Sequence, residues 1–219
     1  MDYQLHTHPR ARRLTLRLDK TGQPVVTAPR FTPQFLVKKF VQEHQGWIVA
    51  HQERWQEART KFISETNLTL FGKQYQLETR SGDQPSAVKI QGKTVIIYFH
   101  QGSRQTAEAI LNKFLKNTAS HYLVPRIHQL AKKMGISFKK VTLRAQTTRW
   151  GSCSSAGNLN FNWKLVHFPP RIIDYVIVHE LAHRQHMNHS AKFWQFVEQF
   201  SPDYRLSRGW LKRQGVGVG

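Results

Sequence analysis

Apolar positions recur along this chain in two rhythms. Over residues 12–18 they alternate, with Leu14, Leu16 and Leu18 on one face and Arg13, Thr15 and Arg17 on the other, the period of a half-buried strand. Asp19-Lys20-Thr21-Gly22 forms a turn, and Val25-Val26-Thr27 begins a return strand. Thr32-Pro33 then has the form of an N-cap followed by proline at the first helical position. Phe35, Leu36, Phe40, Trp47 and Ile48 keep helical spacing and predict one long helix ending near Lys61 or Ile63. Residues 68–71 and 75–78, joined by Gly72-Lys73, predict a hairpin. Residues 88–90 and 94–99, joined across Gln91-Gly92, predict a second.

The rhythm changes around Gln101-Gly102-Ser103. Ala109, Ile110, Phe114, Leu115, Tyr122, Leu123, Ile127, Leu130 and Met134 carry helical spacing almost to Gly135, with a kink or break expected at Pro125. Residues 138–143 read as a strand, and 149–153 and 158–163 as two short strands around Ser154-Ser155-Ala156-Gly157. Pro169-Pro170 starts a helix whose buried stripe is Ile172, Ile173, Val176, Ile177, Leu181 and Ala182, with a break expected at Met187-Asn188-His189. Ser190 begins another, with Phe193, Phe196, Val197 and Phe200 at i, i+3, i+4 and i+7. Ser201-Pro202 opens a last helix bearing Tyr204, Leu206, Trp210 and Leu211. The pattern predicts an α+β protein. A β-rich domain with a long helix covers 1–102, a second domain covers 103–214, and a flexible glycine-rich tail covers 215–219.

Composition narrows the class. With 219 residues, 39% of them hydrophobic, the chain can bury a real core as one large domain or two small ones. It has no apolar run of membrane-spanning length, and Met1-Asp2-Tyr3-Gln4 lacks the charged-then-apolar form of a signal peptide. Cys153 stands alone, so no intrachain disulfide can form, which fits a reducing cytoplasm. Lys and Arg number 33 against 13 Asp and Glu, a net charge of +20, and residues 101–219 hold 18 basic but only 5 acidic side chains. Such a field draws polyanions, nucleic acid among them, although a basic surface is also simply well solvated.

One short run names a chemistry: His179-Glu180-Leu181-Ala182-His183. Two histidines four apart on a helix lie one turn apart on the same face, so their imidazoles can converge on one Zn²⁺ with Glu180 beside the site's water. This is the H-E-x-x-H arrangement of zinc hydrolases, and a catalytic site of that type takes a third protein ligand. His186 lies two helical turns from His179, too far along a straight rod for one ion to collect both with His183. His189 follows Asn188, a residue that tolerates the left-handed conformation that turns a chain, and is favoured over Glu198. The apolar run from Ile172 to Val178 places the pair on a buried helix, where unpaired imidazoles are costly and a metal satisfies them.

The chain resembles the YgjP-like metallopeptidases, minimal zincins related to the SprT and WLM groups. The resemblance rests on Arg149-Trp150-Gly151-Ser152-Cys153-Ser154, Asn160-Phe161-Asn162-Trp163-Lys164-Leu165, the His179–His183 run, His186-Met187-Asn188-His189-Ser190 and Lys192-Phe193-Trp194. Pro202-Asp203-Tyr204 and Trp210-Leu211-Lys212 also fit. Upstream, Arg12-Arg13-Leu14, Ala28-Pro29, Trp47-Ile48 and Phe71-Gly72-Lys73 resemble the family's N-terminal part. The resemblance implies a zincin-like core of helices on a small sheet, with His179, His183 and His189 as zinc ligands and Glu180 as catalytic acid/base. It also implies that residues 149–153 and 158–163 border a cleft in which peptide lies as an added strand.

Arg149 and Tyr204 are candidate oxyanion donors, with surface arginine and packed tyrosine as the plain alternatives. Trp150 either packs beneath the cleft or belongs to the core. Cys153 reads as a small filler. Asp174 and Asp203 are placed either to bond a ligand's second nitrogen or to serve as helix N-terminal charges. The functional expectation is a zinc-dependent metallopeptidase acting on peptide or protein. Two alternatives stay open: a metal-dependent phosphohydrolase of nucleoside triphosphates, and a nucleic-acid-associated protease of SprT type.

Overall fold

Four residues of the alternating segment near the N-terminus, Thr15–Leu18, form a strand, β2. The computed structural model describes residues 2–19, 22–60, 63–64, 66–100, 102, 105–146 and 148–213, and their side chains except those of 54–60. These fall into two compact units, 1–61 and 62–219. In the first, β1 (Gln4–His8) lies parallel to β3 (Pro24–Pro29), and β2 pairs antiparallel on the other side, giving the order β1-β3-β2. β1 has no apolar face and every residue is exposed, so it carries no periodic signal and is held by backbone pairing to β3.

The long helix expected after Pro33 is two helices, α1 (Gln34–Glu43) and α2 (Gln45–Thr60). The break falls at His44, whose backbone opens to φ −102 and ψ 13 and whose ring nitrogen bonds Phe40 O at 2.8 Å. Gly46, two residues on, is a weak helix former and offers no resistance to the break. Thr32 does not cap α1; its hydroxyl donates to Pro29 O at 2.8 Å. Val26, Ala28, Val37, Val41 and Ile48 form this unit's core, with Leu14, Leu16 and Leu18 packed against it.

In the second unit, β4 (Asn67–Leu70) and β5 (Lys73–Gly82) make the first expected hairpin, and β6 (Ala87–Gln91) and β7 (Thr94–His100) the second. β5 and β7 pair in parallel, so the order is β4-β5-β7-β6. Phe71 and Gly72 both take positive φ in the first turn, the signature of a tight hairpin turn. α3 (Ala107–Met134) comes next, capped by Thr106 Oγ1, which accepts from Ala109 N, and closed by left-handed Gly135. It runs unbroken through Pro125. Pro125 is exposed while Leu123 and Ile127 are fully buried, so the missing N–H falls on the wet face and packing holds the helix.

Leu68, Leu70, Val95 and Ile97 of this sheet share one core with Ile110, Leu115, Leu123 and Ile127 of α3. The two units therefore divide at residue 61, not near 102: the shared core joins both hairpins to α3. The tail expected over 215–219 lies outside the described residues.

A second sheet comes from β8 (Lys140–Arg144), β9 (Gly151–Cys153) and β10 (Asn158–Asn162) in the order β8-β10-β9. β10 is central, parallel to β8 and antiparallel to β9, which leaves β9 as an edge. A 3-10 turn (Trp163–His167) leads into α4 (Pro170–Ala182), with a proline in its first turn. α5 (Ala191–Phe200) and α6 (Tyr204–Arg213) are the last elements among the described residues. α4 packs on α3, β9, α5 and α6, which makes it the central helix of the α+β core.

Candidate metal centre

From Ile172 onward almost every side chain of α4 is buried, and the stripe does not stop at the polar motif. His179 is 2% exposed, Glu180 1% and His183 8%, so three ionisable groups lie inside an apolar helix where each costs free energy unless partnered. The helix ends at Ala182, with His183 as its capping residue. Arg184 N–H bonds Leu181 O, and the N–H groups of Gln185 and His186 both bond Ala182 O, which tightens the last turn and reverses the chain. The reversal comes earlier than expected, and Asn188 is not left-handed; among the described residues only Phe31 and Phe71 have positive φ without being glycine. Ser190 then caps α5, accepting from Phe193 N at 3.5 Å.

This reversal brings His189 back to α4. Its Nε2 lies 3.1 Å from Nε2 of His179, and two ligands of a tetrahedral ion with bonds of about 2.0–2.1 Å sit about 3.4 Å apart. The ring centroids of His179, His183 and His189 form a near-equilateral triangle, with sides of 5.0, 5.0 and 4.9 Å. One ligand atom from each histidine lies within 4.8 Å of the other two, so the three are placed to hold a metal ion. The His183 Nδ1–H donates to His186 O at 3.2 Å, which selects the tautomer that leaves Nε2 as a lone-pair donor. Burial pushes the His183 pKa down, the bond to His186 O opposes it, and the nearby His189 adds to it; the net direction favours the neutral ring that a ligand needs.

Glu180, the residue after His179 on α4, has both carboxylate oxygens buried and without a hydrogen-bond partner among the described residues. Burial pushes its pKa up to about 8, and Arg149 opposes that shift through its charge. A cation held alongside acts as Arg149 does, because it favours the ionised carboxylate.

Other residues singled out from the sequence stand elsewhere. Glu198 pairs with Arg205 at 2.9 Å and belongs to no metal-ligating group among the described residues. His186 presents its carbonyl to His183 and turns its ring edge toward Phe196. Both oxygens of Asp174 bond Arg126, at 2.7 and 2.6 Å, tying α4 to α3. Asp203 lies exposed just ahead of α6, and its carbonyl accepts from Ser207 N–H. Trp150 is a core residue, edge-on to Phe168 at 4.4 Å. Tyr204 is buried and stacks on Trp194 at 5.1 Å. Cys153 is half-buried, and burial raises its thiol pKa, consistent with a filler.

Two further aromatic residues complete the site. Phe193, fully buried, lies 5.0, 4.7 and 4.8 Å from the rings of His179, His183 and His189 and forms the floor under all three. Trp194 stacks on His189 at 5.5 Å, and the Arg208 guanidinium lies over Trp194 at 4.8 Å. In the sequence Phe193 reads only as part of an amphipathic stripe; its place four residues after His189 is the available signal. Arg208 carries none, because α6 meets the site only through tertiary packing.

The described helices include none long and apolar enough to cross a membrane. No curated protein matches the chain. Two solved structures resemble it. The metallopeptidase zymogen abylysin of Pyrococcus abyssi is 17% identical, covering 44% of this chain and 99% of its own, with a TM-score of 0.41. The metallopeptidase zymogen jannalysin of Methanocaldococcus jannaschii is 18% identical, covering 43% and 97%, with a TM-score of 0.38. The profile of a family described as "YgjP-like, metallopeptidase domain" matches residues 12–214, a span that includes the whole histidine cluster. This chain therefore belongs to the YgjP-like family and is a metallopeptidase-like, metal-dependent hydrolase.

Proposed function

We propose that the protein is a zinc peptidase in which His179, His183 and His189 hold the ion and Glu180 is the general acid/base. The observation that carries this reading is the triangle of imidazoles, with a buried carboxyl on the same helix one residue after His179. Three histidine nitrogens match the protein donor set of catalytic zinc sites, in which water takes the fourth position. An ion held by His179, His183 and His189 would supply Lewis acidity and make a water acidic enough to ionise near neutral pH, at a pKa of about 7.

The chain's own groups do the rest. Glu180 takes the water's proton and returns it to the leaving amine, so both transfers pass through one buried carboxyl. Packing of α4, β9 and Phe193 buries His179, His183 and Glu180, while exposed His189 leaves one side of the cluster open to solvent and substrate. β9 is an open edge packed beside α4, and an extended peptide paired to it by main-chain hydrogen bonds is carried past Glu180. Of the two expected oxyanion donors, Arg149 is retained: it is exposed, borders β9, and its charge reaches Glu180. Tyr204 serves packing. A single cysteine suits a reducing, cytoplasmic setting.

The test is incubation of zinc-loaded protein with an unfolded polypeptide and, separately, with nucleoside triphosphates. New peptide termini that disappear with Glu180→Gln, at unchanged zinc content, support the assignment. Phosphate release without peptide cleavage overturns it in favour of a phosphohydrolase.

A further inference from the structure

Glu180 presents an unusual problem of placement. No hydrogen bond from a described residue fixes its carboxyl, so packing alone sets where the two oxygens lie. One wall of its surroundings is Gly151, the first residue of β9, itself buried. A methyl group built on Gly151 would lie 2.6 Å from Glu180 Cγ, 2.6 Å from Oε1 and 2.8 Å from Cδ, all well inside van der Waals contact. Gly151 does not have a positive φ, so its backbone conformation is open to any residue. Space is the sole demand on it.

Neither partner can give way cheaply. Glu180 is 1% exposed in mid-core, so its side chain has no open space to move into. β9 is held by its pairing of Cys153, Ser152 and Gly151 with Leu159, Asn160 and Phe161, and by Asn162 N–H bonding Trp150 O at 2.9 Å. We infer that Gly151 is a positioning residue: its missing side chain is the seat that holds the Glu180 carboxyl beside the three histidines. The inference deepens the proposed function and rests on Glu180 being the acid/base, but the contact itself does not.

Thermal unfolding of metal-free wild type, Gly151→Ala, Glu180→Ala and the double variant tests the seat without any turnover. Gly151→Ala is expected to lower the midpoint by about 5 °C or more in the wild type, and by less than about 2 °C once Glu180 is truncated. Equal losses in both backgrounds overturn the inference. A single variant that fails to fold beside a double variant that folds supports it.

Zinc-loaded Gly151→Ala is expected to keep its metal and to lose about 100-fold in kcat on peptide with KM nearly unchanged, the mark of a group misplaced for the chemical step. An unchanged kcat overturns the positioning role. Stability coupling in a protein that cleaves no peptide would count against the peptidase reading alone and leave the seat standing.

Discussion

Nε2 of His189 lies 3.1 Å from Nε2 of His179, although ten positions separate them in the chain. The approach exists because α4 stops at Ala182 and the chain doubles back before Ser190 starts α5. Glu198, the competing third ligand, is already paired with Arg205. His189→Ala is therefore expected to weaken zinc binding by at least about 100-fold, since even groups that only orient a ligand are worth 10- to 100-fold. Glu198→Ala is expected to leave it within about threefold. Competition with a chelating indicator measures both, and the reverse ranking would reassign the third ligand.

Phe193 touches all three imidazoles and is fully buried, so its truncation removes core packing and the floor of the site together. Phe193→Ala is expected to cost about 3–5 kcal/mol of stability and to loosen zinc by about tenfold, with Phe193→Leu milder in both. Denaturant titration and zinc titration on the same samples separate the two effects. Lost stability at unaltered zinc affinity would mean that the floor does not orient the rings.

Arg126 and Asp174 form a two-pronged ion pair between α3 and α4. Both side chains are about a third exposed, so solvent screening holds the pair to about 1 kcal/mol. Asp174→Asn is expected to lower stability by about that amount and to leave zinc affinity unchanged. A drop in affinity would restore Asp174 to the ligand-supporting role.

His167 is buried with its Nδ1 2.7 Å from Thr69 O, and burial lowers its pKa from 6.5 to about 4. The folded state thus resists a proton that the unfolded chain accepts. The stability this brings is complete above pH about 6.5, falls as pH drops toward 4, and changes no further below that. At about 1.4 kcal/mol per pH unit, the total is about 3 kcal/mol. Urea midpoints of metal-free protein between pH 7.5 and 4.5 should show this slope, and His167→Gln should flatten it. A slope unaffected by the substitution would place its origin elsewhere, for instance in His183.

Local pattern sufficed wherever one element's own residues carried the signal. Both hairpins are legible because Gly72 and Gly92 punctuate apolar strands. α4 is legible because proline opens an apolar stripe, and the His179-Glu180 pair stands out because spacing on one helix needs no tertiary information. β1 is not legible in the sequence because all of its residues are exposed and its partner lies some twenty positions away. The division at residue 61 was hidden for a related reason: composition shifts near 102, while the core that joins β4 and β7 to α3 runs across that point.

The sequence by itself determined a pair of imidazoles and a carboxyl on one buried helix, and with them a metal chemistry. Tertiary structure decided which groups meet there. It brought His189 to His179 by a chain reversal at His183, spent Asp174 on Arg126 and Glu198 on Arg205, set Phe193 beneath the rings and closed Gly151 against Glu180. Spacing along a helix is a local property of the backbone. Which distant side chains fill the space around it depends on how the whole core packs.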